Sequence, residues 1–128
     1  MNRKIILVED DAAIIDIYQT VMEKSSLEVE VLSTGSEVVK KIKEIADGQE
    51  EKPALLLLDL ILPDMNGTDI LFQIRNNPVT QDMKVFVLTN QENSESQMPE
   101  GVKADKTVIK AHTTPTELLK IIKEELGE

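Results

Sequence analysis

Residues 5–11 read IILVEDD and residues 55–59 read LLLLD, so two short apolar runs each end abruptly in acidic residues. Runs this short and continuously apolar are typical of strands buried on both faces, because a helix or a half-exposed strand would carry polar residues at regular intervals. We therefore predict two central parallel strands. In an open parallel sheet the ligand site lies beyond the carboxyl ends of the strands, so Glu9, Asp10 and Asp59 are expected to converge there.

The composition favours one acidic domain. The 128 residues suffice for one ordinary hydrophobic core, and we expect a single domain over residues 1–128. A formal net charge of −10 at pH 7 disfavours nucleic acid and anionic membranes as direct partners, since both attract basic surfaces. The chain has no cysteine, which excludes disulfides and thiolate metal sites and is compatible with a reducing compartment. No signal peptide or membrane span is visible, so we expect a cytoplasmic protein.

Helix-like and strand-like segments alternate along the sequence. Apolar residues at helical spacing predict helices, and continuous or alternating runs predict strands, with the alternating run 27–32 at a sheet edge. The segment from 90 to 103 is polar and contains Pro99 and Gly101, so any helix there is expected to be short or frayed. Right-handed crossovers would place the helices on both faces of one parallel sheet, giving an α/β doubly wound fold. The predicted strands cover 5–8, 27–32, 55–58, 85–88 and 108–109, and the predicted helices cover 12–24, 36–46, 68–75, 94–100 and 115–126.

The predicted strand ends bring together a particular set of functional groups. They supply the carboxylates of Glu9, Asp10 and Asp59, the Thr89 hydroxyl and the Lys110 ammonium. Two unit charges about 4 Å apart repel by roughly 4 kcal/mol at an effective dielectric of about 20, so clustered carboxylates need a cation. Mg²⁺ fits this need, because it binds one or two carboxylates and completes its shell with water and phosphate oxygens. A free Asp could then attack a phosphoryl group and form an acyl phosphate.

These motifs, in this order, resemble the receiver domain of two-component response regulators. The resemblance spans nearly the whole chain, and it implies a five-stranded parallel sheet of flavodoxin-like order 2-1-3-4-5. It also implies a stand-alone receiver similar to the chemotaxis regulators. The motifs that carry it are IILVEDD at 5–11, LLLLDLILPDMNG at 55–67, VFVLT at 85–89 and VIK at 108–110.

The resemblance implies a role for each acidic residue. Asp59 would be the phosphoacceptor, and Glu9 and Asp10 would be the acid pair that holds Mg²⁺. Asp10 and Asp59 would be direct ligands together with the backbone carbonyl of Ile61, whereas Glu9 would act through water. The apolar Ile61 side chain could also hinder an attacking water, which predicts a slowly hydrolysed acyl phosphate.

Further roles and partners follow from the same resemblance. Thr89 would bond a phosphoryl oxygen, and Lys110 would pair with Asp59 or its phosphate. The phosphoryl donor would be a sensor histidine kinase or a phosphotransfer protein, and a two-state change would alter the affinity for a downstream protein effector. The chain would not be an enzyme beyond catalysing its own phosphorylation and dephosphorylation.

Four positions depart from the usual pattern of the family. Lys110 is followed by Ala111 instead of the usual cis proline, and Thr107 stands where an aromatic residue is common. Asn90 replaces a small residue, and residues 103–104 read Lys-Ala instead of Gly-Ala. These changes concentrate on the signalling surface of the family, which predicts an unusual output. They also leave open a degenerate receiver that binds partners without being phosphorylated.

Other functions fit the sequence less well. A flavin or nucleotide binder would need a Gly-rich or hydroxyl-rich loop after its first strand, where acids stand instead. A phosphatase with an Asp nucleophile would usually carry a second Asp at the position of Ile61. Asp11 is expected to be the N-cap of the first helix rather than a metal ligand. His112, the only histidine, is expected to be exposed and without a chemical role.

Overall fold

Five strands and four α-helices occur in residues 2–90 and 102–128, the part of the chain that the computed structural model describes. The predicted elements within these residues are confirmed, with bounds that agree to within two residues. The helix predicted near 94–100 lies outside the described residues. The strands are β1 (Lys4–Val8), β2 (Glu28–Leu32), β3 (Leu55–Asp59), β4 (Val85–Thr89) and β5 (Lys106–Ile109). The helices are α1 (Ala12–Lys24), α2 (Gly35–Ala46), α3 (Gly67–Arg75) and α4 (Pro115–Glu125), with a 3₁₀ turn at Lys110–His112.

The strands form one sheet in the order β2-β1-β3-β4-β5, and every neighbouring pair is parallel. This confirms the predicted doubly wound α/β fold and its flavodoxin-like strand order. The alternating strand β2 lies at an edge, as its half-polar pattern predicted. The continuously apolar strands β1 and β3 lie inside the sheet, so the carboxyl ends of β1, β3, β4 and β5 are adjacent.

Successive strand residues point to opposite faces of the sheet, and each face carries its own hydrophobic core. One core joins Ile6, Leu56 and Val85 of the sheet to α2 and α3. The other core joins Leu7 and Phe86 to apolar residues of α1 and α4. Burial on both faces explains why the inner strands lack the polar alternation of an edge strand.

Side chains cap the starts of α1 and α4, and the cap of α1 confirms the prediction for Asp11. The Asp11 carboxylate accepts hydrogen bonds from the backbone N–H groups of Ala13 (2.9 Å) and Ile14 (3.1 Å), so Asp11 caps α1. Thr114 and Glu117 form a capping box at the start of α4. Each cap fixes the exit path of a loop that carries site residues. None of the helices in residues 2–90 and 102–128 is both long and apolar enough to cross a lipid bilayer.

A guanidinium cluster ties together the opposite end of the sheet, where β4 and β5 begin. Arg75 pairs with Asp105 through Nη2 and Oδ2 (3.0 Å), and the same Oδ2 accepts the backbone N–H of Val85 (2.8 Å). The guanidinium fork also donates to three backbone carbonyls, those of Gln81, Met83 and Lys103. These bonds join the end of α3 to the starts of two strands, far from the acidic residues.

Candidate functional site: a carboxylate cluster at the strand ends

Three acidic side chains converge where β1 and β3 end, as the sequence predicted. Each of Glu9, Asp10 and Asp59 places a carboxylate oxygen within 4.8 Å of an oxygen from both of the others. Glu9 and Asp59 are buried, with 1% and 7% of their surface exposed, whereas Asp10 is exposed. The cluster is therefore a partly buried group of oxygen ligands that is open to solvent at Asp10.

Lys110 enters the cluster from the end of β5. Its Nζ donates to Glu9 Oε1 (2.5 Å) and to Asp59 Oδ2 (3.0 Å), so one ammonium bridges two of the three carboxylates. Lys110 opens the 3₁₀ turn, and no cis peptide bond occurs within residues 2–90 and 102–128. Ala111 thus follows Lys110 through a trans bond, and the lysine reaches the acids without the proline usual in the family.

Burial and neighbouring groups shift the pKa values of Glu9 and Lys110. Burial raises the pKa of Glu9, and the nearby Asp59 carboxylate adds to this effect, although the hydrogen bond from Lys110 opposes it. Burial alone would lower the pKa of Lys110, but its bonds to Glu9 and Asp59 raise the pKa above its usual value. Lys110 is therefore a permanent cation at neutral pH.

The donor set fits a hard divalent cation. Three carboxylates against one ammonium give a formal excess of two negative charges in a small volume. All the convergent atoms of the three acids are oxygens, the ligands that Mg²⁺ prefers. A divalent cation would balance the excess charge, whereas an anionic ligand alone would be repelled.

Glu9 and Asp10 hold different positions within the cluster. The Glu9 carboxylate already accepts hydrogen bonds from the Asp10 N–H (3.1 Å) and the Asp11 N–H (3.3 Å) through Oε2, in addition to its bond from Lys110. The exposed Asp10 carboxylate accepts no hydrogen bond from the described residues. Asp10 is therefore the more accessible of the two acids.

The loop between β3 and α3 brings the Ile61 backbone to the cluster. The Ile61 N–H donates to Asp59 Oδ1 (3.0 Å), and Ile61 and Asn66 form an antiparallel bridge closed by a bond from Gly67 N–H to the Leu60 carbonyl (2.7 Å). The Ile61 carbonyl receives no hydrogen bond from the described residues. Its side chain is 63% exposed. The loop thus presents a backbone acceptor beside Asp59 and an apolar side chain at the surface.

Gly67 is required by the tight closure of this loop. A Cβ at this position would lie 2.5 Å from the Asp59 carbonyl oxygen and 2.7 Å from Leu60 Cα, so no side chain fits. Asn66 caps α3 by accepting the Thr68 N–H (3.0 Å). The turn residues of the sequence motif therefore position the loop through close backbone contact.

Thr89 closes the set of predicted site residues. It is the last residue of β4, only 2% exposed, and its strand lies between those that end in Asp59 and Ile109. Asn90 follows it and is exposed. The structure thus brings all the predicted residues to one edge of the sheet, with the Thr89 hydroxyl on the β4 strand end.

Similarity to known proteins decides the family. The sequence matches the response regulator receiver domain over residues 5–123. The chain belongs to this family. It is 32% identical over 116 residues to the phosphate regulon transcriptional regulatory protein PhoB of Rhizobium meliloti, an alignment that covers 90% of this chain and 48% of that protein. The chain spans less than half the length of the first curated relatives it matches.

Solved receivers have the same fold. A CheY-like response regulator receiver domain protein from Methanospirillum hungatei is 31% identical with a TM-score of 0.82, covering 99% of this chain and 95% of that one. The phosphorylated cyanobacterial phytochrome response regulator RcpA is 26% identical with a TM-score of 0.80, covering 97% and 91% of the two chains. The five-stranded architecture of this receiver is therefore that of its family.

Two site features of this receiver were not found from its sequence. Tyr18 of α1 is 8% exposed and lines a groove of about 270 Å³ with Asn90, Lys110 and Ala111. Burial raises the pKa of Tyr18. Asp64, in the loop after β3, contacts the start of α2. Neither residue was singled out from the sequence, because a position within a predicted helix or in a turn carries no signal of its spatial partners.

Three of the four departures from the family pattern, Asn90, Thr107 and Ala111, lie in β5 or just after the carboxyl ends of β4 and β5. The fourth, Lys103, precedes β5 at the opposite end of the sheet, where its carbonyl accepts a hydrogen bond from Arg75. Thr107 is half-buried in β5 and is paired in register with Val87 of β4. Ala111 and His112 are exposed in the 3₁₀ turn, which confirms the predicted exposure of the histidine. The altered residues Thr107 and Ala111 thus flank Lys110 without removing it from the carboxylates.

Proposed function

We propose that Asp59 accepts a phosphoryl group from a histidine of a sensor kinase or a phosphotransfer protein, and that the phosphorylated receiver changes its affinity for a downstream protein. The observation that carries this proposal is the environment of the Asp59 carboxylate. One oxygen is held by the Ile61 N–H and the other by Lys110, within a cluster that fits Mg²⁺. The orientation of the acceptor carboxylate is therefore fixed before a donor arrives.

The transfer requires one bond to form and one to break. An Asp59 carboxylate oxygen forms the new O–P bond while the P–N bond to the donor imidazole breaks. The bonding electron pair returns to the ring nitrogen, and the imidazole leaves neutral because its other nitrogen carries a proton. Phosphoryl transfer depends mainly on alignment and charge stabilisation, so the acceptor needs no separate strong base.

The surrounding residues stabilise the charge that the phosphoryl group brings. Lys110 stays protonated and pairs with the acyl phosphate, and the Thr89 hydroxyl donates to a phosphoryl oxygen. Asp10, Asp59 and the Ile61 carbonyl would hold Mg²⁺, with Glu9 acting through water. The metal would supply positive charge next to the phosphoryl oxygens.

Ile61 is proposed to lengthen the life of the acyl phosphate. Hydrolysis needs a water molecule in line with the O–P bond, and the exposed Ile61 side chain stands beside the acceptor without offering a polar group to orient that water. Rapid loss of the phosphoryl group at neutral pH with Mg²⁺ would contradict this part of the proposal. We infer no catalysis on other substrates, only phosphorylation and dephosphorylation of the chain itself.

The rival function is a receiver that binds partners without phosphorylation. The specific observations in its favour are Thr107 and the trans bond before Ala111, because both alter the segment next to Lys110. Against it, Lys110 still contacts both Glu9 and Asp59. The intact charge arrangement makes the phosphorylated receiver the better supported function.

Intact mass spectrometry after incubation with acetyl phosphate and Mg²⁺ tests the choice. The wild type should gain the mass of one phosphoryl group, Asp59→Asn should gain none, and the exposed-acid control Asp16→Asn should behave as the wild type. Hydroxylamine should remove the adduct, because it cleaves acyl phosphates. An adduct that persists in Asp59→Asn would refute Asp59 as acceptor. No adduct in a wild type that binds Mg²⁺ would contradict the proposal and favour the binding module that acts without phosphorylation.

A further inference from the structure

Asp64 joins the β3–α3 loop to the start of α2, which is distant in sequence but adjacent in space. Its Oδ1 accepts the backbone N–H of Gly35 (2.7 Å) and its Oδ2 accepts that of Ser36 (3.0 Å), although 29 residues separate Asp64 from Gly35 in the chain. These N–H groups belong to the first turn of α2, which otherwise lacks partners for them. The two bonds lower the pKa of Asp64, so the carboxylate is charged at neutral pH.

Met65, next to Asp64, packs closely against Gly35 of α2, and this packing requires that residue 35 has no side chain. A Cβ there would lie 2.0 Å from Met65 Cγ and 2.6 Å from Met65 Sδ. Met65 packs against the core that also contains Leu60 and Leu62. The tip of the loop is therefore fixed on α2 by a polar contact from Asp64 and an apolar contact from Met65.

The same loop carries the Ile61 carbonyl at its base. The bridge between Ile61 and Asn66 makes residues 61–66 a short hairpin-like segment with Asp64 near its tip. A loop held at its base alone would lose order at its tip, and ordering it again would oppose ligand binding. Anchoring the tip to α2 keeps the backbone at Ile61 oriented before any cation binds.

Helix capping alone does not explain the contact, because α2 has its own N-cap. Thr34 Oγ1 accepts the Glu37 N–H (3.2 Å), and the Glu37 carboxylate accepts the Thr34 hydroxyl (3.0 Å). Loss of the Asp64 contact would therefore leave α2 with a capped start. What it would release is the loop.

We propose that Asp64 is a positioning residue for the Mg²⁺ site: it holds the β3–α3 loop against α2, and this contact strengthens metal binding by orienting the Ile61 carbonyl. The proposal rests on the Mg²⁺ site of the proposed function. Asp64 does not belong to the carboxylate group formed by Glu9, Asp10 and Asp59, and we do not propose it as a metal ligand. Residues of this kind, which orient the ligands of a metal, change its affinity by about 10- to 100-fold when they are removed.

The test compares Mg²⁺ affinity with thermal stability in four variants. Isothermal titration calorimetry with Mg²⁺ should give a dissociation constant about tenfold larger for Asp64→Ala than for the wild type. The dissociation constant of Gly35→Ala should also be larger, because the added Cβ displaces Met65. Asp64→Asn should stay within about threefold of the wild type, since an amide oxygen also caps N–H groups. Thr34→Ala is the matched control, because it weakens the same helix start without touching the loop, so it should lower Tm and leave the affinity unchanged.

The outcomes separate this inference from the proposed function. Wild-type affinity in Asp64→Ala and Gly35→Ala, with Tm lowered as in Thr34→Ala, would reduce Asp64 to a helix cap and overturn the inference alone. Equal weakening in Thr34→Ala would overturn it as well, because the helix rather than the loop would then be responsible. A wild type that binds no Mg²⁺ would refute the metal site of the proposed function. If Asp64→Ala does not fold, the Mg²⁺ affinity of Gly35→Ala is compared with that of Thr34→Ala. Weaker binding in Gly35→Ala alone supports the inference, and equal binding in the two variants overturns it.

Discussion

Replacing Asp10 by asparagine is expected to stabilise the Mg²⁺-free receiver and to remove most of its stabilisation by Mg²⁺. Asp10 lies within 4.8 Å of two other carboxylates, is exposed, and accepts no hydrogen bond from the described residues. The Asp10→Asn substitution therefore removes repulsion at almost no cost in hydrogen bonds. It also removes the most accessible oxygen ligand of the cluster.

The size of the effect follows from the geometry. Two unit charges 4.8 Å apart repel by about 3.5 kcal/mol at an effective dielectric of about 20. Asp10 has two such neighbours, but the Lys110 ammonium attracts it, and water around an exposed carboxylate screens every one of these interactions. We therefore expect a net gain of about 1 kcal/mol in the free energy of unfolding at low ionic strength. The gain should shrink at high salt, because salt screens exposed charges.

Urea unfolding at low salt measures the difference in the free energy of unfolding between Asp10→Asn and the wild type. One series contains EDTA and the other contains Mg²⁺. At a Mg²⁺ concentration about 100 times the dissociation constant, the wild type should gain about 2.7 kcal/mol, and Asp10→Asn should gain much less. Asp16→Asn is the matched control, because Asp16 is an exposed acid of α1 outside the cluster. The reasoning is refuted if Asp10→Asn is less stable than the wild type in EDTA, or if Asp16→Asn gains as much.

Two further predictions concern charged residues far from the site. Burial alone would raise the pKa of Glu30, but hydrogen bonds from Lys4 and Lys41 lower it. Its contribution to stability is then complete above the ordinary value of 4.5 and is lost as pH falls through the lowered folded-state pKa. Glu30→Gln should cost about 1 kcal/mol at pH 7 and nothing below that pKa in urea unfolding, so a pH-independent cost would contradict the ion-pair explanation. Arg75→Lys should lower the free energy of unfolding by about 2 kcal/mol, because an ammonium cannot replace the guanidinium fork, and it should leave Mg²⁺ affinity unchanged.

The parts of the fold that could be predicted are those in which local pattern and burial agree. Strands β1 and β3 are buried on both faces, so their sequences are continuously apolar and their ends are sharply marked by acids. Because parallel strands end at one edge, the meeting of Glu9, Asp10 and Asp59 follows from the strand assignment alone. The start of β5 was the least accurate bound, because Lys106 and Thr107 are exposed or half-buried at a sheet edge and give little apolar pattern.

The parts that could not be predicted depend on contacts between distant residues. Nothing in the local sequence of Asp64 indicates that its carboxylate meets Gly35, since an acid in a turn is ordinary. The Arg75 cluster is similar, because its acceptors are mostly backbone carbonyls and those carry no sequence signal. Lys110 was expected to contact only Asp59, but its Nζ also contacts Glu9, and the bond to Glu9 is the shorter of the two.

The two ends of the sheet differ in how completely their charges are balanced. At the starts of β4 and β5, the Arg75 guanidinium is matched by Asp105 and by carbonyls, and this end gains stability from its polar groups. At the opposite end, three carboxylates face one ammonium, so the Mg²⁺-free fold retains repulsion that the sequence could remove with a single amide. Retained repulsion is costly to stability, and such sites are typical of places where function requires the charge. The unbalanced end is therefore where the proposed divalent cation and phosphoryl group would change the free energy of the receiver most, as the proposed two-state change requires.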